Sequence, residues 1–161
     1  MRYRSILILV VAALAVGAVA GCGGDDDGDE DGAATAADTG TAAAAAASAV
    51  TINMSDFFFD PKDATAEAGS VTISAPNDGK TKHELVLFKT DDDPASLPLA
   101  GGEVDEEAME KQGAELVGEI EDVEPGQTKD ASFDLTPGEY VMFCNLPAHY
   151  EQGMYGSFTV K

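Results

Sequence analysis

Cys144, His149 and Met154 fall within eleven residues of a 161-residue chain that holds only two cysteines, two histidines and five methionines. Thiolate, imidazole and thioether are soft donors, and a set of that kind selects copper over calcium or magnesium. In "FCNLPAHYEQGMYGSF" the cysteine ends an apolar run and the methionine just precedes Gly156, which opens the last run. The three side chains therefore sit at the base, middle and far side of one hairpin-like loop. Such a loop can wrap a single ion without large backbone rearrangement. The other imidazole, His83, begins "HELVLFK" after the turn-rich "NDGKTK", on one face with Leu85 and Leu87. If that strand neighbours the one ending at Cys144, His83 lies at the loop's end of the fold.

Two imidazoles and a thiolate, with a weak axial thioether, are the components of a type 1 copper electron-transfer site. Taken singly, each has an ordinary reading: His83 as a strand-end histidine, Cys144 as a core thiol, Met154 as packing. Four at compatible spacing favour the metal. A structural zinc site would use two or more cysteines or histidines without methionine. A dinuclear copper centre needs a second loop cysteine, and multicopper oxidases need His-x-His pairs; the chain has neither. With no HExxH, no Ser-His-Asp order and no phosphate-binding glycine loop, hydrolytic and nucleotide chemistry have no support.

The elements that must position these residues are short alternating runs between turn signals. "AVTINM", "DFFFDPKDATAEAG", "SVTISAP", "HELVLFK", "AELVGEIEDV", "KDASFDL", "EYVMFC" and "GSFTVK" follow one another, with Pro125-Gly126 and Pro137-Gly138 as turns. The interval 91–113 differs: "DDDPASLPLAGG" reads as loop, and "EVDEEAMEKQ" as about two turns of acidic helix with Val104, Ala108 and Lys111 on one stripe. No βαβ alternation occurs. The expected fold is all-β, an antiparallel Greek-key β-sandwich with one short helical insertion.

Residues 1–21 have a basic start, an apolar run from Ile6 to Ala20 and small residues before Cys22, the order of a secretory signal peptide. "VAGC" resembles the lipobox of bacterial lipoproteins, which implies cleavage before Cys22 and acylation of its thiol. The expected location is therefore extracytoplasmic, lipid-anchored to a membrane at the cell surface or in the periplasm. Residues 22–47, rich in Gly, Ala and Asp without large apolar side chains, read as a disordered acidic tether. Residues 48–161 form the expected folded domain. It carries twenty-three acidic and seven basic residues, within a whole-chain net charge of −21. Nucleic acid is thus an unsuitable partner, and most of the acids read as solvated surface. With Cys22 lipidated, Cys144 is the one remaining thiol, which in an oxidising compartment must be buried or bonded.

"FCNLPAHYEQGMYGSFTV" with the upstream "NDGKTKHELVLF" resembles the cupredoxins, the type 1 blue copper proteins such as azurin, auracyanin and sulfocyanin, over most of 48–161. Four residues between cysteine and histidine match the azurin and auracyanin loop better than the shorter plastocyanin one. The resemblance implies one type 1 copper with His83, Cys144 and His149 as equatorial ligands, Met154 as axial ligand and His149 as the edge exposed to a partner. Two positions depart from the family. Glu84 stands where many members have asparagine, and is expected to accept a hydrogen bond from Asn145, supporting the ligand loops. Ala148 stands where glycine commonly precedes the histidine. Phe143, Leu146, Pro147 and Tyr150 are expected to exclude water and to form a docking patch around His149. The implied function is single-electron transport by a monomer between membrane-associated redox donors and acceptors, without enzymatic activity. An extracytoplasmic copper carrier, buffer or sensor is the alternative.

Overall fold

The computed structural model describes residues 48–161; the expected signal (1–21), the expected tether (22–47) and Cys22 lie outside the described residues. Four strands open the domain: β1 (Ser48–Thr51), β2 (Asn53–Ser55), β3 (Phe58–Asp60) and β4 (Asp63–Ala66). β5 (Gly69–Pro76) and β6 (His83–Lys89) follow, then the short β7 (Leu99–Ala100) and β8 (Glu103–Val104). The helix α1 (Glu106–Lys111) precedes β9 (Glu115–Val123), β10 (Thr128–Leu135), β11 (Gly138–Phe143) and β12 (Tyr155–Val160).

Eight of these strands make two sheets, β1-β5-β10 and β4-β12-β11-β6-β9, while β2-β3 and β7-β8 are separate small hairpins. The expected sandwich is present, with a refinement at its edges: β1 runs parallel to β5, and β4 parallel to β12. "AVTINM" is split at Ile52, a buried residue whose N–H donates to Ser74 O at 2.9 Å where the chain turns from β1 into the β2–β3 hairpin.

Between the sheets lies the main core, to which Ile52, Val71, Ile73, Leu85, Leu87, Met142 and Phe158 contribute. A second cluster covers the outer face of the larger sheet: Val86, Phe88, Val141 and Phe143 pack under Leu97, Val104, Met109 and Tyr150. β6 is therefore buried on both faces, which is why "HELVLFK" is so nearly continuous in apolar residues. Each such side chain, fully buried, contributes about 1.5–3 kcal/mol.

α1 begins later than the sequence suggests because Val104 is taken into β8, paired with Leu99. Asp105 caps it, accepting the Ala108 N–H at 2.9 Å, with Glu106 and Glu107 in the first turn and Lys111 in the last. Because Val104 lies in β8, where it is buried, the expected helical stripe of Val104, Ala108 and Lys111 does not form. Met109 is the buried helical residue, and Lys111 is exposed.

Candidate metal centre

β6 and β11 are antiparallel neighbours with Val86 opposite Phe143, so the start of one strand meets the end of the other. That register brings His83 to Cys144, as neighbouring strands require. The loop 144–154 then closes on itself: Cys144 N–H donates to Met154 O, and Met154 N–H to His149 O, both at 3.1 Å. β11 and β12 continue the ladder with Phe143 opposite Tyr155.

Nδ1 of His83 lies 3.2 Å from Nδ1 of His149, which is itself 3.2 Å from Cys144 Sγ. One ligand atom from each residue falls within 4.8 Å of the others. Donors bound to one first-row ion at about 2.0–2.3 Å stand about 3.3–3.8 Å apart, so these three converge on a volume of the right size. His83, Cys144 and Met154 are fully buried, and His149 is partly exposed. Met154 shares the apolar cluster of Cys144 at this end of the sandwich.

The electrostatics suit neutral imidazoles and a thiol that a metal must deprotonate. Burial lowers the pKa of His83, opposed by Asp56. Burial, then the neighbouring His83, lowers that of His149. Burial pushes the Cys144 thiol up to about 11, against the backbone N–H groups of Leu146 and Glu84. A bound cation reverses that balance and holds the sulfur as thiolate.

Glu84 and Asn145 do meet, through the Asn145 backbone: its N–H donates to Glu84 Oε1 at 2.9 Å. The Asn145 side chain turns the other way. Its Oδ1 accepts from Val104 N at 2.6 Å, and its Nδ2 donates to Val104 O and Glu106 Oε1. Ala148 N–H donates to Gly102 O, and the Tyr150 hydroxyl donates to Pro94 O and accepts from Leu97 N, both at 2.9 Å. The 91–113 segment is therefore a brace for the ligand loop. Burial raises the Glu84 pKa; the Asn145 N–H opposes this, and Glu119, Glu106 and Glu121 add to it.

One expectation is corrected in detail. Phe143 and Tyr150 do not belong to a surface patch, because both are buried in the second cluster beneath the brace. Ala148 adopts φ +66°, the left-handed conformation that glycine occupies without a Cβ penalty.

Sequence reasoning passed over Asp56 and Phe57, on the turn of the β2–β3 hairpin. Phe57 sets its ring edge-on to both imidazoles, 4.8 Å from His149 and 6.2 Å from His83. Asp56 Oδ1 lies 3.2 Å from His83 Nε2. The carboxyl is held down to about 2, chiefly by the Thr81 hydroxyl and the Lys80 N–H. The available signal was "DFFFD": three consecutive phenylalanines cannot all face one core, and Phe58 is 51% exposed.

A sequence profile described as copper binding proteins, plastocyanin/azurin family, matches residues 46–161. The chain belongs to this cupredoxin family. Its fold is similar to that of a dithionite-reduced auracyanin from Roseiflexus castenholzii, at 26% identity and TM-score 0.56, over 71% of this chain and 97% of that one. It also resembles auracyanin A, a "blue" copper protein from Chloroflexus aurantiacus, at 20% identity, TM-score 0.51 and 71% and 99% coverage. An azurin from Methylomonas sp. strain J aligns at 16% identity, TM-score 0.51 and 71% and 98% coverage. No curated protein matches in sequence. In this cupredoxin His83, Cys144, His149 and Met154 form a type 1 copper-like site.

Proposed function

We propose that this cupredoxin is a single-electron carrier, tethered outside the cytoplasm by a lipid on Cys22, and not an enzyme. The observation that carries the reading is the convergence of His83, Cys144 and His149 within 4.8 Å in a site that residues other than the ligands hold in shape. A copper ion bound there supplies the one-electron Cu(II)/Cu(I) couple. The chain's part is to keep nearly one donor arrangement for both oxidation states. Glu84 and the Asn145 brace fix the loop, the sandwich core excludes water from Cys144 and Met154, and Phe57 covers the imidazoles.

His149 is the more exposed imidazole, so it offers the shorter way to a redox partner docked on the loop. Phe58 and Pro147 are exposed at the two segments nearest it, and suit the small, transient interface of redox encounters. The domain's acidic surface would steer a basic partner, an attraction that salt weakens. The division into signal (1–21), tether (22–47) and domain (48–161) is supported by the basic start, apolar run and small-residue cysteine motif. A tether at 22–47 would let one monomer reach both a membrane-associated donor and an acceptor.

The test is to load the purified protein with Cu(II) and record visible absorption, electron paramagnetic resonance and voltammetry. An intense thiolate band, narrow copper hyperfine splitting and a reversible potential are expected, and Cys144→Ser should abolish the band. A colourless copper-loaded protein would overturn the reading. Rapid loss of copper to a chelating acceptor, without reversible voltammetry, would instead indicate metal transport. Mass analysis of the N-terminal peptide checks the anchor, since an unmodified Cys22 rejects lipidation.

A further inference from the structure

His83 is gripped from both sides. Its Nδ1 faces the metal site, 3.2 Å from Nδ1 of His149, and its Nε2 faces the Asp56 carboxylate at 3.2 Å. A neutral imidazole has one N–H and one lone pair, so an acceptor at Nε2 decides where the lone pair lies. Among the described residues, the only other polar contact to that nitrogen is the Thr81 hydroxyl at 3.5 Å, too long to compete.

The carboxylate is itself immobilised. It accepts from Lys80 N at 3.0 Å, Thr81 N at 3.2 Å and Thr81 Oγ1 at 2.8 Å, which ties the approach to β6 onto the turn between β2 and β3. Gly79 makes the approach possible. A Cβ there would lie 2.6 Å from Asp56 Oδ1 and 2.9 Å from His83 Nε2. The side chain of Asp56 is 25% exposed and that of His83 is 0% exposed, so the contact is shielded on the histidine side.

Resting on the copper reading of the site, we propose that Asp56 is a positioning residue for His83. Its carboxylate holds the imidazole as the Nε2–H tautomer, aiming the Nδ1 lone pair at the metal. It also places a fixed negative charge one ring away from the ion, favouring Cu(II) over Cu(I). Loss of such an outer partner typically lowers metal affinity 10–100-fold.

The test compares Asp56→Asn, Asp56→Ala and Asn53→Ala in the full-length protein. Asn53 Nδ2 donates to Asp60 O within the same hairpin, so its loss loosens that element without touching the carboxylate. Three quantities are read: the His83 tautomer from nitrogen-15 shifts of the metal-free protein, the Co(II) affinity, and the reduction potential with copper. In Asp56→Ala, the Nδ1–H tautomer should appear and Co(II) affinity should fall about 10–100-fold. Asp56→Asn keeps an oxygen acceptor but removes the charge. Its ratio of Cu(II) to Cu(I) affinity should fall up to about tenfold, a potential about 59 mV higher for one electron. If both Asp56 variants match Asn53→Ala in tautomer, Co(II) affinity and potential, the carboxylate is only a hairpin clamp and the proposal is overturned. A wild-type protein with no thiolate band in either metal overturns the copper reading and the charge effect with it. The tautomer effect then stands or falls on the metal-free spectra.

Discussion

The exchange of the family's common asparagine for Glu84 puts a carboxylate where a neutral amide is usual, one residue from a ligand and bonded to the amide after Cys144. Its charge should stabilise Cu(II). In Glu84→Gln the side-chain oxygen can still accept from Asn145 N–H, so the substitution isolates the charge. The potential is expected to rise by about 30–60 mV, a change of severalfold to tenfold in relative affinity. An unchanged potential in voltammetry would remove Glu84 from the tuning of the site. Ala148 makes a separate point at the same scale. Its φ of +66° carries a Cβ penalty that glycine lacks. Ala148→Gly should therefore raise the stability of the metal-free domain by up to about 1 kcal/mol in urea unfolding. A lower stability would show that the loop does not hold this strain. The four ligands were legible in the sequence because their chemistry is rare in this chain. Asp56 was not legible, since one carboxylate among thirty acidic residues carries no mark of its partner.

The segment between β6 and β9 is the element that braces the ligand loop from outside the sandwich. Its apolar residues Leu97, Val104 and Met109 close a second cluster over Phe88 and Phe143, and its backbone holds Asn145, Ala148 and Tyr150. Read linearly, it is an acidic loop and a weak helix, because its anchoring residues are spaced by no strand or helix period. Tyr150→Phe tests the brace without altering ring packing. The Leu97 N–H and Pro94 C=O would lose their partner, at a cost of about 1–3 kcal/mol. The expected outcome is that loss in chemical unfolding, with faster hydrogen exchange at Leu97. Unchanged exchange there would show that the hydroxyl is not what holds the segment. The same packing explains the helix register: Met109 faces inward because Val104 had already been drawn into β8.

For the whole molecule, the acidic excess works against compactness. Glu119 shows the sign. Partial desolvation of this largely exposed carboxyl raises its pKa first, and the charges of Glu106 and Glu121 raise it further. A carboxyl that binds its proton more tightly in the folded state makes stability fall as pH rises from the unfolded value near 4.5 through the raised folded one. The stability lost there is not recovered at neutral pH. Glu119→Gln should therefore raise the metal-free melting temperature at pH 7 by about 1–3 °C. The gain should shrink below pH 4.5 and in high salt, where repulsion is protonated or screened. A gain equal at all pH values would point to packing rather than charge.

From the order of residues alone came the all-β sandwich, the eight principal strands, the loop from Cys144 to Met154 and the need for His83 to join it. Those follow from alternation, turn residues and the scarcity of soft donors, which are properties of near neighbours along the chain. Only the tertiary structure decided that β1 and β4 pair in parallel, that the acidic insertion is a packed brace, and that Asp56 and Phe57 close on the imidazoles. Each of these joins segments far apart in sequence through a few contacts. Such contacts depend on shape and burial after the sheets have assembled, and no local pattern encodes them.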